Sequence, residues 1–134
     1  MQRDAIVIGA GPGGLAAAQQ LRASGMEPLV IEKADRVGAV WRRHYDRLRL
    51  HTPRIHSALP GMPMPRAFGR YPSRDDVVAY LEAYARHHHL AIEHGVSAER
   101  ISAGSQTVDA GVARDLAVVE AVERVGADGQ VVLP

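Results

Sequence analysis

The chain has 134 residues, of which 46% are hydrophobic and 23% charged, and its formal net charge is +1 at pH 7. This length suits one modest domain, and the balanced charge excludes the strong electrostatic field that binds nucleic acids or membrane surfaces. The absence of cysteine excludes disulfides, thiolate metal sites and a redox-active dithiol. We therefore expect a small-molecule partner, and any redox chemistry must come from a bound cofactor.

The N-terminal residues carry no sign of a targeting segment. An apolar strand begins almost at once, without a charged leader or a small-residue cleavage site before it. No apolar stretch approaches the roughly 18 residues that a membrane-spanning helix needs. The sequence therefore predicts a cytoplasmic protein with neither nucleic acid nor membrane as a partner.

The first part of the chain predicts a strand, a helix and a second strand. Ala5–Ile8 is a short apolar run rich in β-branched residues, the pattern of a strand buried in a parallel sheet. Residues 13–24 are strongly helix-forming, and Gly25 stands where a left-handed C-terminal cap belongs. Residues 29–31 give a second buried strand, which completes a βαβ unit.

A long irregular segment, 35–72, follows the second strand. Its prolines and glycines are too dense for a helix or a central strand to run far. Loops of this length are usually functional, so we expect the segment to lie over a ligand. A helix is then predicted from Ser73, its candidate N-cap, to about His89. The apolar face of this helix consists of Val77, Tyr80, Leu81 and Tyr84.

The remaining elements follow weaker patterns. Partial alternation predicts a third strand over residues 92–101, with Gly95 as a bulge or a break. Apolar residues within 112–122 have the spacing of one helix face. A turn at Asp128-Gly129 precedes a predicted final strand at 131–133.

A glycine-rich turn joins the first strand to the first helix. Residues 9–14 read Gly-Ala-Gly-Pro-Gly-Gly and match GxGxxG, which between a strand and a helix predicts a dinucleotide site. Gly9 permits the tight turn, Gly11 lets the backbone approach a pyrophosphate, and Gly14 lets the helix pack closely. The helix N-terminus then offers N–H groups and partial positive charge to the phosphates. The alternative is a glycine-rich turn that holds no ligand.

An acidic residue ends the second strand where a ribose ligand is expected. Glu32 follows Gly14 by about 18 residues, close to the roughly 20 of the dinucleotide fingerprint. Its carboxylate would accept hydrogen bonds from a ribose 2′-hydroxyl and would repel a 2′-phosphate. The sequence therefore argues against NADP in this pocket.

Several segments, in order, resemble one enzyme family. Residues 32–41, Glu-Lys-Ala-Asp-Arg-Val-Gly-Ala-Val-Trp, resemble the turn that two-dinucleotide flavoproteins place against FAD. Residues 45–53, 59–60, 71–74 and 80–85 resemble the class B flavin-containing monooxygenases, especially their YUCCA-like branch. The resemblance covers residues 5 to about 101. It implies an α/β fold, a Rossmann-type FAD-binding half-domain with a parallel sheet.

The resemblance also implies a domain division and a set of cofactor contacts. Residues 1–101 would form the FAD-binding module, with 35–72 wrapped over the cofactor, and 102–134 would be a divergent or truncated segment. The glycine turn would hold the pyrophosphate, Glu32 and Lys33 the adenosine end, and Trp41 would lie near the ribityl chain. The predicted cofactor-binding residues are Gly9, Gly11, Pro12, Gly13, Gly14, Glu32, Lys33, Gly38, Val40, Trp41, His51 and Thr52.

Three features have competing interpretations. His51 is the candidate catalytic residue, because the resemblance puts His51-Thr52 beside the flavin ring, yet a hydrogen-bonded loop histidine is an equal alternative. Trp41 is either a cofactor contact or a core residue. The consecutive histidines at 87–89 do not predict a metal site, since neighbouring helix residues point in different directions.

The sequence departs from the family in two respects. Relatives usually have two glycines where this chain has Gly38-Ala39, so the added methyl is expected to crowd the cofactor. The family's second glycine-rich turn, which binds NADPH as the reductant, does not occur in these 134 residues.

We therefore expect an FAD-dependent oxidoreductase of the NADPH-linked monooxygenase type, incomplete in this chain through truncation, a frameshift or divergence. A complementing chain would carry the NADPH-binding half. The alternative is a non-catalytic dinucleotide-binding module or fragment that needs a partner chain.

Overall fold

A computed structural model describes residues 3–98, together with the backbone at 124–125 and 131–132. The predicted strand-helix-strand start, the irregular segment with only short helical turns and the long helix after it are confirmed. In chain order the elements are β1 (Ala5–Ile8), α1 (Pro12–Ala23), β2 (Pro28–Glu32), α2 (Ala39–Arg42), α3 (Arg54–Ser57), a 3-10 turn (Arg66–Phe68), α4 (Arg74–His87), β3 (Ala91–His94), β4 (Arg124–Val125) and β5 (Val131–Val132).

Strands β1, β2 and β3 form one parallel sheet, with β2 in the centre. The register places Val7 beside Val30, and both side chains belong to the main core. Because side chains alternate along a strand, Ile6 and Ile31 face the opposite side, where Val96 packs against them. This parallel sheet confirms the Rossmann-type half-domain.

Helices α1 and α4 bury their apolar faces in the same core. All four residues predicted for the apolar face of α4 are buried, and Tyr80 and Tyr84 are among the largest fully buried side chains. A capping box starts the helix: Ser73 Oγ accepts from the Asp76 amide at 3.1 Å, and the Asp76 carboxylate accepts from the Ser73 amide at 3.0 Å. No helix in the described part of the chain combines the length and apolarity needed to cross a bilayer.

The irregular segment is fastened to α4 by two tyrosine hydroxyls. Tyr80 donates to the Met62 carbonyl at 2.6 Å and accepts from the Leu59 amide at 2.8 Å. Tyr84 donates to the Pro60 carbonyl at 2.5 Å. Burial raises the pKa of Tyr84 to about 12, and the pKa of Tyr80 is raised for the same reason. The middle of the segment therefore lies on α4.

The third strand is shorter than predicted. It ends at His94 because Gly95 adopts φ 74°, a left-handed conformation that interrupts the extended backbone. Residues 96–98 are not strand, so the prediction is wrong there, and 99–101 lie outside the described residues.

The C-terminal predictions are only partly within the described residues. Strands β4 and β5 pair antiparallel, with Val125 beside Val131, and this confirms the predicted final strand at 131–132. The helix predicted within 112–122 lies outside the described residues.

Candidate functional site

The glycine turn between β1 and α1 has a different requirement at each of three positions. Gly9 adopts φ +96°, which favours glycine. A Cβ at Gly14 would lie 1.9 Å from the Gly9 carbonyl oxygen, so α1 begins in close contact with the turn, as predicted. A Cβ at Gly11 would meet no atom within 4 Å, and the φ of −86° at this position suits any residue. Gly11 therefore leaves open space where a ligand can approach the backbone.

The Glu32 carboxylate bridges the glycine turn and the backbone that follows β2. Its Oε2 accepts from the Ala10 amide at 2.7 Å, and its Oε1 accepts from the Ala34 amide at 2.8 Å. Glu32 is only 9% exposed, so these amides compensate a buried charge. An ionised carboxylate has about four lone-pair sites, so each oxygen can accept one further hydrogen bond. The arrangement suits a ribose hydroxyl.

The backbone after β2 returns to the glycine turn and forms a wall beside it. The Gly38 amide donates to the Ala10 carbonyl at 3.1 Å, and Gly38 has φ 70° at the start of α2. Trp41 in α2 is half-buried and packs against the main core. Trp41 also lines the cavity described next, and its contact with a cofactor stays a prediction.

A cavity of about 630 Å³ lies where β1 and β2 end. This volume falls within the roughly 300–1,000 Å³ of small-molecule sites. Ligands of open parallel sheets bind outside the carboxyl ends of the strands, which is where this cavity lies. The predicted contact residues that line it are Gly9, Gly11, Glu32, Lys33, Gly38, Val40 and Trp41.

Part of the cavity wall was not predicted. Ile8, which is 49% exposed, lines it, as do Ala34 and residues 96–98 directly after β3. The Val96 amide donates to the Glu32 carbonyl at 3.1 Å, which holds this stretch against the end of β2. The position of these residues after a predicted third strand could have indicated their role, because parallel strands have their carboxyl ends at the same edge of the sheet.

The other predicted contacts lie outside the cavity lining. Pro12, Gly13 and Gly14 form the first turn of α1. His51 and Thr52 are exposed in the irregular segment, and they are not among the described residues that line the cavity. The Thr52 hydroxyl is 2.6 Å from the Ser57 hydroxyl.

Two arginines near the wall differ in their contacts. Arg42 contacts the Glu82 carboxylate and donates through Nε to the Val37 carbonyl at 3.2 Å. Arg43 is exposed and lines the cavity. Among the described residues, no group of three or more histidines and acidic side chains has a geometry that could hold a metal ion.

The profile of one protein family, pyridine nucleotide-disulphide oxidoreductase, matches residues 6–130. The chain belongs to this family. The chain is 46% identical over 96 residues to the indole-3-pyruvate monooxygenase YUCCA1 of Oryza sativa subsp. japonica, an alignment covering 71% of this chain and 24% of the relative. It is 42% identical over 87 residues to the probable indole-3-pyruvate monooxygenase YUCCA1 of Arabidopsis thaliana, covering 64% and 21%.

A solved structure of a flavin-containing monooxygenase shares the fold. The flavin-containing monooxygenase from Stenotrophomonas maltophilia superposes with a TM-score of 0.68 at 34% identity, covering 74% of this chain and 30% of that one. The resemblance to class B flavin-containing monooxygenases and their YUCCA-like branch is thus confirmed. The chain spans about a quarter or less of the length of these curated relatives.

Proposed function

We propose that this chain binds FAD and forms the dinucleotide-binding part of a flavin-dependent monooxygenase that takes its reducing equivalents from NADPH. The observation that carries the proposal is the cavity where the glycine turn and the Glu32 carboxylate meet. The N-terminus of α1 starts in the same turn, which suits a pyrophosphate, and Glu32 suits the adjoining ribose. The names of the relatives support the monooxygenase class.

The residues around the cavity fit FAD better than NADP. Gly11 leaves space for a pyrophosphate against the backbone. The buried Glu32 carboxylate would repel a 2′-phosphate, and Lys33 and Arg43 line the cavity with positive charge for a diphosphate. When bound, FAD supplies the redox chemistry, which the chain's own side chains lack.

The chain's residues would bind and orient the cofactor and keep water from part of it. The glycine turn would hold the diphosphate by backbone N–H groups, and Glu32 would fix the ribose by accepting its hydroxyls. The half-buried Trp41 and the apolar Val40 would cover one side of the bound molecule. Contacts from His51 and Thr52 to the flavin ring belong to this proposal, as do the domain boundary near residue 101 and the wrapping of 35–72 over the cofactor.

The NADPH step needs residues other than those of the cavity. We propose that a complementing polypeptide, which carries an NADPH-binding half, meets this module in the cytoplasm. The chain spans about a quarter or less of its curated relatives. The first experiment therefore measures flavin binding by this chain, and assays of NADPH oxidation and substrate oxygenation follow it.

Flavin uptake by the purified 134-residue chain tests the proposal. The visible absorption spectrum is recorded before and after incubation with FAD and desalting. We expect retained flavin bands, and we expect free FAD to appear when the protein is denatured. NADH and NADPH are titrated in parallel. Binding of NADH without any affinity for flavin would contradict the proposal and would indicate an NAD site.

A variant that fills the cavity without disturbing the fold makes the test specific. Gly11→Val puts a side chain into open space at a φ that valine can adopt, so FAD uptake should be lost. The cost in folding free energy should be about 1 kcal/mol or less, from a poorer N-cap residue. Ala23→Val adds similar bulk at the exposed end of α1 and should leave uptake unchanged.

Loss of uptake in both variants would contradict a specific site at the glycine turn. A folded wild-type chain that takes up no flavin would favour the alternative, a non-catalytic module that needs its partner chain before it binds.

A further inference from the structure

One ion pair joins the cavity wall to helix α4. Arg42 is the last residue of α2, and its guanidinium contacts the carboxylate of Glu82 in α4. Its Nε also donates to the Val37 carbonyl at 3.2 Å. This hydrogen bond connects the end of α2 to the backbone that precedes the helix. The two side chains are partly shielded from solvent, with exposed fractions of 27% for Arg42 and 40% for Glu82.

The same short helix carries much of the cavity wall. Val40 and Trp41 line the cavity, and the Arg42 amide donates to the Gly38 carbonyl at 3.1 Å. Gly38 in turn donates to the Ala10 carbonyl of the glycine turn. The wall is therefore fastened to the glycine turn at its first residue and to α4 at its last.

Apolar burial alone does not hold this wall in place. Helix α2 has one turn, and none of its four residues is fully buried. Helices this short are not stable by themselves, so their position depends on tertiary contacts. Val40 is 61% exposed, so the hydrogen bond of Gly38 to the glycine turn, the packing of Trp41 and the contacts of Arg42 fix the position of the helix.

We propose that Arg42 and Glu82 form a positioning pair that sets the place of Trp41 in the cavity and thereby the affinity for the cofactor. The inference rests on the proposed FAD function. Arg42 acts through Glu82 and Val37, because it is not one of the described residues that line the cavity, whereas its neighbour Arg43 is. Loss of either partner would let α2 move and would disorder the surface against which the cofactor lies.

Trp41 is the single tryptophan of the chain, so its fluorescence reports on the wall directly. Quenching by acrylamide is measured for the 134-residue chain, and FAD affinity is measured by titration, for Glu82→Ala, Arg42→Ala and the double variant. Each single variant should raise the accessibility of Trp41 to acrylamide. Each should also weaken FAD binding by roughly two- to fivefold, the upper part of the range for a surface ion pair. The double variant should bind FAD no more weakly than the weaker of the two single variants, because the two residues act as one unit.

Two further variants separate positioning from a general loss of stability. Glu82→Gln keeps an acceptor oxygen and should recover part of the affinity lost in Glu82→Ala. Glu27→Ala removes a comparable surface pair, that of Arg22 and Glu27 at 3.5 Å, and neither residue lines the cavity. This control should leave Trp41 accessibility and FAD affinity unchanged, and all measurements are made well below the unfolding temperatures.

The Arg42 and Glu82 variants can contradict the positioning pair in two ways. If Glu82→Ala changes neither Trp41 accessibility nor FAD affinity, the positioning pair is wrong. A loss of affinity in Arg42→Ala alone would mean that Arg42 acts without Glu82, through Val37 or by direct contact with the cofactor, and this also overturns the inference. A wild-type chain without flavin uptake would refute the proposed function, yet the acrylamide measurement on the free protein would still decide whether the pair positions Trp41.

Discussion

The amide nitrogen of Ala10 lies 2.7 Å from Oε2 of Glu32, which connects the glycine turn after β1 to the end of β2. The second carboxylate oxygen accepts from the Ala34 amide at 2.8 Å. These contacts involve protein atoms alone, so Glu32 shapes the turn whether or not a ribose is present. The carboxylate that we propose as the ribose ligand thus has a role in folding that needs no ligand.

Replacing Glu32 should therefore affect stability in the absence of cofactor. Glu32→Ala leaves two backbone amides without their acceptor, and we expect a loss of about 2–4 kcal/mol in the free energy of unfolding. Glu32→Gln keeps one acceptor oxygen and should lose less. Urea unfolding followed by circular dichroism measures both. Glu93→Ala, on the exposed side of β3, is the control and should change stability by about 0.5 kcal/mol or less. Equal stability of Glu32→Ala and this control would contradict the structural role.

Two adjacent glycines should respond in opposite ways to the same substitution. In Gly14→Ala the new methyl would meet the Gly9 carbonyl at 1.9 Å, so the turn must move and we expect a loss of about 1–3 kcal/mol. In Gly13→Ala the methyl meets open space, and a gain of up to about 1 kcal/mol follows from helix propensity. Thermal unfolding of the two variants gives the comparison. Similar melting temperatures would show that α1 does not start in close contact with the turn.

The sequence predicted those features whose causes are local. The strands β1 and β2, helix α1 and the Ser73 cap follow from short-range patterns of apolar residues, glycines and capping side chains. The path of the irregular segment does not, because it depends on hydrogen bonds between tyrosine hydroxyls of α4 and backbone groups about 20 residues earlier in the chain. The family resemblance, not a local pattern, predicted that His51 and Thr52 lie beside the flavin ring. They do not line the described cavity, and their contact with a cofactor stays a prediction.

The two tyrosines should contribute unequally to stability. Tyr80→Phe removes a hydroxyl that both donates to Met62 and accepts from Leu59, whereas Tyr84→Phe removes one that donates only to Pro60. At about 0.5–1.5 kcal/mol for each hydrogen bond, Tyr80→Phe should be the more destabilising variant. Tyr45→Phe, at a side chain 66% exposed, is the control. Guanidinium unfolding measures all three, and an order with Tyr84→Phe as the more harmful change would contradict the hydrogen-bond assignment.

Tyrosine ionisation should weaken the fold at high pH. Burial raises the pKa of Tyr84 to about 12 from an ordinary value of 10, so the folded state holds the phenolic proton more tightly than the unfolded state. The stability from this difference is complete below pH 10 and is lost as pH rises from 10 towards 12. Absorbance titration near 295 nm should show the two buried phenols, Tyr80 and Tyr84, ionising late, and Tyr84→Phe should remove the step near pH 12. A titration in which every tyrosine ionises near pH 10 would refute the burial argument.

His88 should make stability fall on the acid side. Its Nε2 is buried without a hydrogen-bond partner among the described residues, and its ring lies 4.4 Å from that of Tyr84. Burial, followed by the charges of His87 and His89, lowers the pKa of His88 below 6.5. The unfolded state therefore binds more protons, and stability present above pH 6.5 declines as the pH falls below it.

The pH dependence of unfolding between pH 5 and 8 tests the role of His88. His88→Gln should flatten the decline below pH 6.5, whereas His56→Gln, at an exposed position, should leave the decline as it is. An unchanged slope in His88→Gln would assign the acid sensitivity to other groups.

The order of strands in the sheet has a consequence for the newly made protein. The central strand β2 acquires β1 as a neighbour as soon as the first helix has formed, but its other neighbour, β3, follows only after α4. Because Glu32 pairs with His94, β2 keeps an open backbone edge on the ribosome until nearly all of the described segment has been synthesised. During that interval an apolar parallel strand is available to pair with foreign strands, so chaperone binding to the nascent chain should be greatest before His94 emerges.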